Sequence, residues 1–484
     1  MGELLASTMG EVSLDHAPGY EPTPFGKEML KHFLFDPTYK NMNHGSYGTF
    51  PRALREKQRE YQDLCESAPD PFIRYAYPKL SDQNREAVAK IMNCPPSTVV
   101  FVSNATTGFN AVLRNIVWNY HGKDEIIYFN HIYAACLKTV EYICEANHSI
   151  VNPREIGVHY PIEDIDLLWL FREAIKASRA DGKNPRLAVF DTVSSLPGLR
   201  MPFEELTKIC REEGVLSLID GAHGIGQVYI DMTALDPDFF VSNLHKWLLV
   251  PRGCAVLYVP ERNQHLIRSA LPTSHGFVPK GPEKDIRNPL PPSSKSVFIN
   301  SFEFVGTLDN TNYCVVQDAI KWRKQVCGGE KAIIDYSINL TREGGKAAAK
   351  ILGTKILDNS TETLSNCCLV NVLLPLKISD TKIEGVNTIK SGNCMLATQW
   401  MQETLVEDFK TFIAIYLFQG QWWARLSGQI YLDLSDFEWA GQALKQICER
   451  AGEEEYLKVG KKLDGKGEMV AGGDLAKEGT GANA

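Results

Sequence analysis

The chain has 484 residues, 44% of them hydrophobic and 23% charged, which is enough apolar material for one large or two ordinary cores without covalent staples. A net charge of -8 and a pI near 5.8 argue against a surface built for nucleic acid or an anionic membrane. The twelve cysteines are scattered without a Cys-x-x-Cys pair, which argues against a zinc site and a disulfide framework and points to a reducing, cytoplasmic setting.

Residues 1–25 carry acidic and polar side chains where a signal peptide needs a basic flank and an apolar block, and they read as a mobile leader. No apolar run approaches the roughly twenty residues of a bilayer span. MNHGSYGTFP (42–51) precedes the first strand-like run, VVFVSN, which is followed by DEIIYFN, PRLAVFDTV, VLSLIDG, DFFVSN and CAVLYVP. These runs are rich in Val, Ile and Phe, end in polar or glycine residues, and read as buried parallel strands. Between them, TTGFNAVLRNIVWNY repeats its apolar residues at helical spacing up to Tyr120, and FEELTKICREEG ends on Gly214 as a helix does at its C-terminal cap. The alternation predicts an α/β sheet with helices on both faces. Beyond about residue 270 a Pro-rich, polar excursion (271–297) follows, near the site or a partner subunit. Longer helical patterns from Asp318, with strands in CCLVNVLLPL and WWARLSGQIYLDLS, then predict a smaller α+β domain. The tail from Lys458 lacks a packed face and reads as disordered.

Lys246, between His245 and Trp247, follows the strand DFFVSN. Burial there lowers the pKa of an amine, and a neutral amine is what Schiff-base chemistry needs; the ordinary alternative is a lysine snorkelling from a strand end. Asp220 ends the preceding strand, where a carboxylate faces the crevice at the carboxyl edge of a parallel sheet and could pair with a pyridinium nitrogen, or merely cap a helix. SNATTG (103–108) opens a helix after a strand, a fit for phosphate. Tyr133, in NHIYAAC, could stack on a flat ring and offer its hydroxyl as a catalytic group for proton transfer, with Cys136 three residues on as a structural thiol. Arg425, in ARLSGQIY, could clamp a carboxylate. GAHGIG lacks the spacing of a dinucleotide-binding glycine loop.

In their order along the chain, SNATTG, NHIYAAC, DGAHGIGQ, NLHKW, FVGTLDN and ARLSGQIY resemble the class V, fold-type I pyridoxal-phosphate enzymes over nearly all of residues 25–455. MNHGSYGTFP, DPDFFVSNLHKWL and RNQHLIRSALPTSHGF are most similar to the isopenicillin-N-epimerase-like branch, which includes fungal hercynylcysteine sulfoxide lyases and loline-type alkaloid enzymes. The resemblance implies a leader (1–25), a segment packing on the small domain (26–65), a cofactor-binding domain (66–309), a small domain (310–457) and a tail (458–484). It implies pyridoxal 5'-phosphate as cofactor, with Lys246 as Schiff-base lysine and proton shuttle, Asp220 on the pyridinium, and His223 and Ser195 near the ring oxygen. Tyr133 would stack on the ring, and Ala105, Thr106, Asn243 and His245 would hold the phosphate. Thr307 would reach the phosphate of a neighbouring subunit in a homodimer. Arg425 would bind the substrate α-carboxylate, with Asn43 and His44 lining the entrance, His44 also as a catalytic group. No metal, nucleic acid or membrane is implied. The reaction implied is loss of the α-proton of an amino-acid substrate with elimination of a β or γ leaving group, in alkaloid-type biosynthesis. The C–S lyase reaction of ergothioneine biosynthesis, epimerisation and desulfurase-like chemistry are the alternatives. FQGQWWAR carries no cysteine where desulfurases place their nucleophile, and Trp422 and Trp423 beside Arg425 are either specificity or core residues.

Overall fold

The computed structural model describes residues 19–281 and 288–458; positions 1–18 of the leader and 459–484 of the tail lie outside the described residues. Residues 19–25 are not a free leader. The Thr23 amide donates to Val326 O at 3.0 Å, and the Phe25 ring sits 4.6 Å from that of Tyr336, because this stretch carries apolar side chains that complete the C-terminal core.

After this segment come a single turn, α1 (His44–Tyr47), and two helices, α2 (Arg52–Ser67) and α3 (Tyr77–Ile91). The main sheet then assembles from β1 (Val99–Val102), β2 (Asp124–Phe129), β3 (Val151–Ile156), β4 (Asn184–Asp191), β5 (Leu216–Asp220), β6 (Phe239–Asn243) and β7 (Ala255–Tyr258). Their order is β1-β7-β6-β5-β4-β2-β3. Pairs among β2 to β6 are parallel, as the apolar runs predict. CAVLYVP is the exception: β7 lies antiparallel to both β6 and β1. The connection Leu244–Cys254 that carries Lys246 is shorter than the dozen or so residues a parallel crossover needs, so the chain turns straight back. β3 has no apolar run to announce it; Pro153 and alternating burial fit its place at the sheet edge.

Helices α4 (Ala105–Asn115) and α5 (Ala134–Ala146) cover one face, and α6 (Asp164–Ala180) and α7 (Phe203–Glu213) the other. Helix α4 stops five residues short of Tyr120 although the apolar periodicity continues. Ile116 is already extended, and the Asn115 amide is tied to Ala111 O and Ser269 O. Helix α7 ends as expected, with Gly214 in the left-handed conformation at φ 64°. A single turn, α8 (Leu244–Trp247), follows β6 directly.

The C-terminal part is built on α9 (Val316–Cys327) and α10 (Glu330–Leu352). It holds a three-stranded antiparallel sheet of β8 (Leu369–Leu373), β11 (Ala414–Phe418) and β12 (Gln421–Ser427), ordered β11-β12-β8, beside the short pair β9 (Lys377–Ile378) and β10 (Thr388–Ile389). Helices α11 (Cys394–Glu407) and α12 (Leu434–Gly452) complete it. YLDLS is not strand; Asp433 caps α12 instead, in a reciprocal arrangement with Asp436. Trp422 and Trp423 are 0% and 3% exposed and belong to the core, so they do not choose a substrate. Gln419 and Gly420, both at positive φ, make the two-residue turn between β11 and β12. Among the described residues no helix is long and apolar enough to cross a membrane.

Candidate active site

The parallel strands end at one edge, and β4, β5 and β6 deliver Asp191, Asp220 and Asn243 there. Lys246 comes from α8 on the same edge, and its Nζ lies 3.1 Å from His223 Nε2. Burial, and next to it the Arg425 cation, brings the Lys246 amine down to about 8, while Asp220 pulls the other way. The lysine backbone is clamped from three directions. His44 Nε2 donates to Lys246 O at 2.8 Å, the Arg323 guanidinium donates to Trp247 O at 2.8 Å, and Gly48 packs on the loop. At Gly48, with φ 66°, a Cβ would fall 2.0 Å from His245 O, so only glycine allows this approach. Leu249, two residues past the turn, is itself held at φ 64°, strain that its complete burial maintains.

His44 therefore does not line an entrance. It is 1% exposed, and both ring nitrogens are engaged: Nε2 on Lys246 O, and Nδ1 accepting from the Tyr431 hydroxyl at 3.0 Å, itself bound by Asn41. Burial holds the ring down to about 4, so it stays neutral and supports the lysine rather than moving protons. Asn43 is likewise buried, and its Oδ1 accepts from Arg425 at 2.9 Å. Arg425 also donates to Ser46 Oγ at 2.9 Å and to Ser195 O at 2.7 Å. It is 2% exposed, and among the described residues its Nε has no partner and no carboxylate pairs with it. Ser195 is thus a support of the guanidinium. Ser46, unremarked within MNHGSYG, is a site residue that the sequence reading missed.

On the opposite side, Asp220 is buried, accepting the Ala222 amide at 2.9 Å and the Cys136 thiol at 3.2 Å. Asp191, its partner in strand register, lies within the run PRLAVFDTV and was not singled out from the sequence. Burial and the Asp220 charge push its carboxyl well above the usual carboxylate range. The thiol of Cys136 is likewise pushed far up by burial and Asp220, and it is a structural donor. Tyr133, about half exposed, caps α5 close enough to feel the Asp220 charge.

The N-terminus of α4 completes the crevice, with one change from expectation. The Ala105 amide is bound by Asn243 Oδ1 at 2.8 Å, and that of Thr107 by Asn104 at 2.8 Å. Ala105 and Asn243 engage one another, leaving the Thr106 amide and hydroxyl without a partner among the described residues. The His245 ring is fixed by Nδ1 donating to Cys254 O at 2.8 Å, which leaves Nε2 without a partner among the described residues, and burial brings the ring down to about 4. Thr307 is exposed and makes none of these contacts.

The class-V aminotransferase model matches residues 58–280. An L-cysteine desulfhydrase-like protein of Epichloe uncinata, lolT1, is 38% identical over 443 residues, covering 88% of this chain and 96% of the relative. The chain belongs to the class-V aminotransferase family. It is also 32% identical over 429 residues to the hercynylcysteine sulfoxide lyase of Schizosaccharomyces pombe, covering 88% and 99% of the two chains. The structure of the cystine C-S lyase C-DES in complex with cysteine persulfide shares the fold, with a TM-score of 0.64 at 19% identity, covering 86% of this chain and 98% of that one. The enzyme is pyridoxal-phosphate dependent. The residues present fit the cofactor: a buried lysine able to shed its charge, a buried carboxylate for the pyridinium, and a helix N-terminus with one free amide and hydroxyl.

Proposed function

We propose that the enzyme is an amino-acid lyase that removes the α-proton of its substrate and expels a β or γ substituent, in an alkaloid-type biosynthetic setting. The observation that carries the reading is Arg425, a buried guanidinium supported only by neutral acceptors, which is how a protein holds a site for a substrate α-carboxylate. Pyridoxal phosphate, when bound through Lys246, supplies an electron sink for the negative charge left at the substrate Cα. The chain does the rest. Arg425 fixes the carboxylate and so aims the α-hydrogen; Lys246, on a backbone held by His44, Gly48 and Arg323, takes and returns that proton at its Nζ; Asp220 holds the positive charge on the pyridinium. Burial raises the thiol of Cys136, and no cysteine lies on the β11–β12 turn, which supports release of the expelled fragment over transfer to an enzyme thiol.

The likeness over nearly the whole length of the S. pombe enzyme favours one specific second reading, C–S cleavage of hercynylcysteine sulfoxide. We take the working form to be a cytoplasmic homodimer, in which the exposed Thr307 would reach the neighbouring phosphate. The test is the purified holoenzyme with hercynylcysteine sulfoxide, cysteine and O-acetylhomoserine in parallel. Pyruvate from either sulfur substrate means β-elimination, acetate from O-acetylhomoserine means γ-elimination, and racemisation without either product would overturn the lyase assignment in favour of an epimerase.

A further inference from the structure

Trp247 lies directly after the cofactor lysine, yet its indole points back across the site. Its Nε1 donates to His223 Nδ1 at 3.1 Å in the buried interior, while the other nitrogen of that ring lies 3.1 Å from Lys246 Nζ. The indole is 2% exposed and cannot easily shift. Its carbonyl is bound by Arg323, whose guanidinium is in turn held by Glu330 at 2.6 Å, and the turn at Gly226 packs so closely on it that a Cβ would meet Trp247 O at 2.6 Å.

An indole nitrogen only donates. His223 Nδ1 must therefore accept, which rules out the imidazolium and places the single proton of the neutral ring on Nε2. A hydrogen on Nε2 needs a lone pair opposite it. An ammonium has three donors and no acceptor, whereas a neutral amine offers a lone pair. We propose that Trp247 is a positioning residue for the cofactor lysine: by locking His223 as the Nε2–H tautomer, it makes the ring a donor to Lys246 Nζ and selects the uncharged amine.

The other groups facing this pair are Arg425 from β12, His44 from α1 and Asp220 from β5. Arg425 also disfavours the ammonium, Asp220 favours it, and His44 is pinned neutral by its own two bonds. None of them sets which nitrogen of His223 carries the proton; the indole alone does. The inference rests on Lys246 being the cofactor lysine and not on which substituent leaves.

Cofactor-free enzyme with nitrogen-15 histidine reads the tautomer without any substitution. The expected His223 signals are a protonated Nε2 and an accepting Nδ1 from about pH 6 to about pH 9; an Nδ1–H tautomer or an imidazolium in that window overturns the proposal. The second arm follows how the rate of pyridoxal phosphate capture by cofactor-free protein varies with pH, which reports the neutral fraction of Lys246. W247F, which removes the donor, lets His223 accept from an ammonium and should slow capture near neutral pH about tenfold by raising the lysine pKa about one unit. H223Q, whose amide oxygen can accept from the indole while its NH2 donates to Lys246, should keep the parent pH dependence. A W247F profile superimposable on the parent sinks the idea. Failure of the parent protein to capture the cofactor through Lys246 would instead remove the lysine reading, with the histidine tautomer still measurable.

Discussion

Lys246 and Arg425 are two cations brought into one crevice from different parts of the chain, the first by a turn after β6 and the second by the central strand of the C-terminal sheet. Burial, and next to it the Arg425 charge, brings Lys246 down to about 8 against the pull of Asp220. Arg425 is also lowered by burial, to about 10, and so still carries its charge at neutral pH. Among the described residues its hydrogen-bond acceptors are neutral oxygens, from Ser195, Asn43 and Ser46. One cation meets the cost of burial by a lowered pKa and the other by neutral hydrogen-bond acceptors, the arrangement proposed above to receive a carboxylate. A lysine that can shed its charge is fit for covalent chemistry, and an arginine that cannot is fit for recognition.

The sharpest way to break this contrast is to remove each cation. K246A should lose at least about 10³-fold in turnover and the spectrum of covalently held cofactor, while circular dichroism shows an intact fold; retention of both spectrum and turnover would refute the role of the lysine. R425A should lower kcat/KM about 10²- to 10³-fold and leave the cofactor spectrum in place, with little recovery in R425K, because an ammonium cannot bind a carboxylate in two-pronged fashion. N43A and S46A test the neutral cradle and should each raise KM by about tenfold with kcat nearly unchanged, the loss of one hydrogen bond to a charged group; a fall in kcat alone would point away from carboxylate binding.

The smallest effect is on stability. A lysine near 8 in the folded protein and near 10.5 when unfolded means that the unfolded chain binds more protons between those values. The cofactor-free protein should therefore gain stability as pH rises through 8 towards 10.5, and lose that gain as pH falls back below 8. Comparing its melting temperature with that of K246M across this range isolates the lysine, and parallel curves would mean that its pKa is not lowered.

The strands and the place of the candidate lysine were legible because each rests on local pattern. VLSLIDG and DFFVSN are apolar runs that end in a polar residue, and such runs form buried strands whichever neighbours they find. Asp220 and Lys246 follow from being last on, or just past, those strands. The support around them was less legible. MNHGSYG looks like an entrance motif in sequence, yet three of its residues work as struts: Asn43 and Ser46 on Arg425, and His44 on Lys246 O. Asp191 was hidden inside a strand run, since nothing local reveals that the register sets it beside Asp220.

The sequence by itself determined the alternating sheet and helices and the carboxyl-edge position of Asp220 and Lys246, because these depend on hydrophobic period and chain order; the cofactor class followed from the resemblance of its motifs to a known family. Tertiary structure decided what those residues touch. It turned β7 antiparallel, buried Trp422 and Trp423 as core, spent the Ala105 amide on Asn243, and made His44 a neutral support. Each of these outcomes depends on partners far away in the chain, such as the 202 positions between His44 and Lys246, and the charge state of a buried group is set by its whole surroundings.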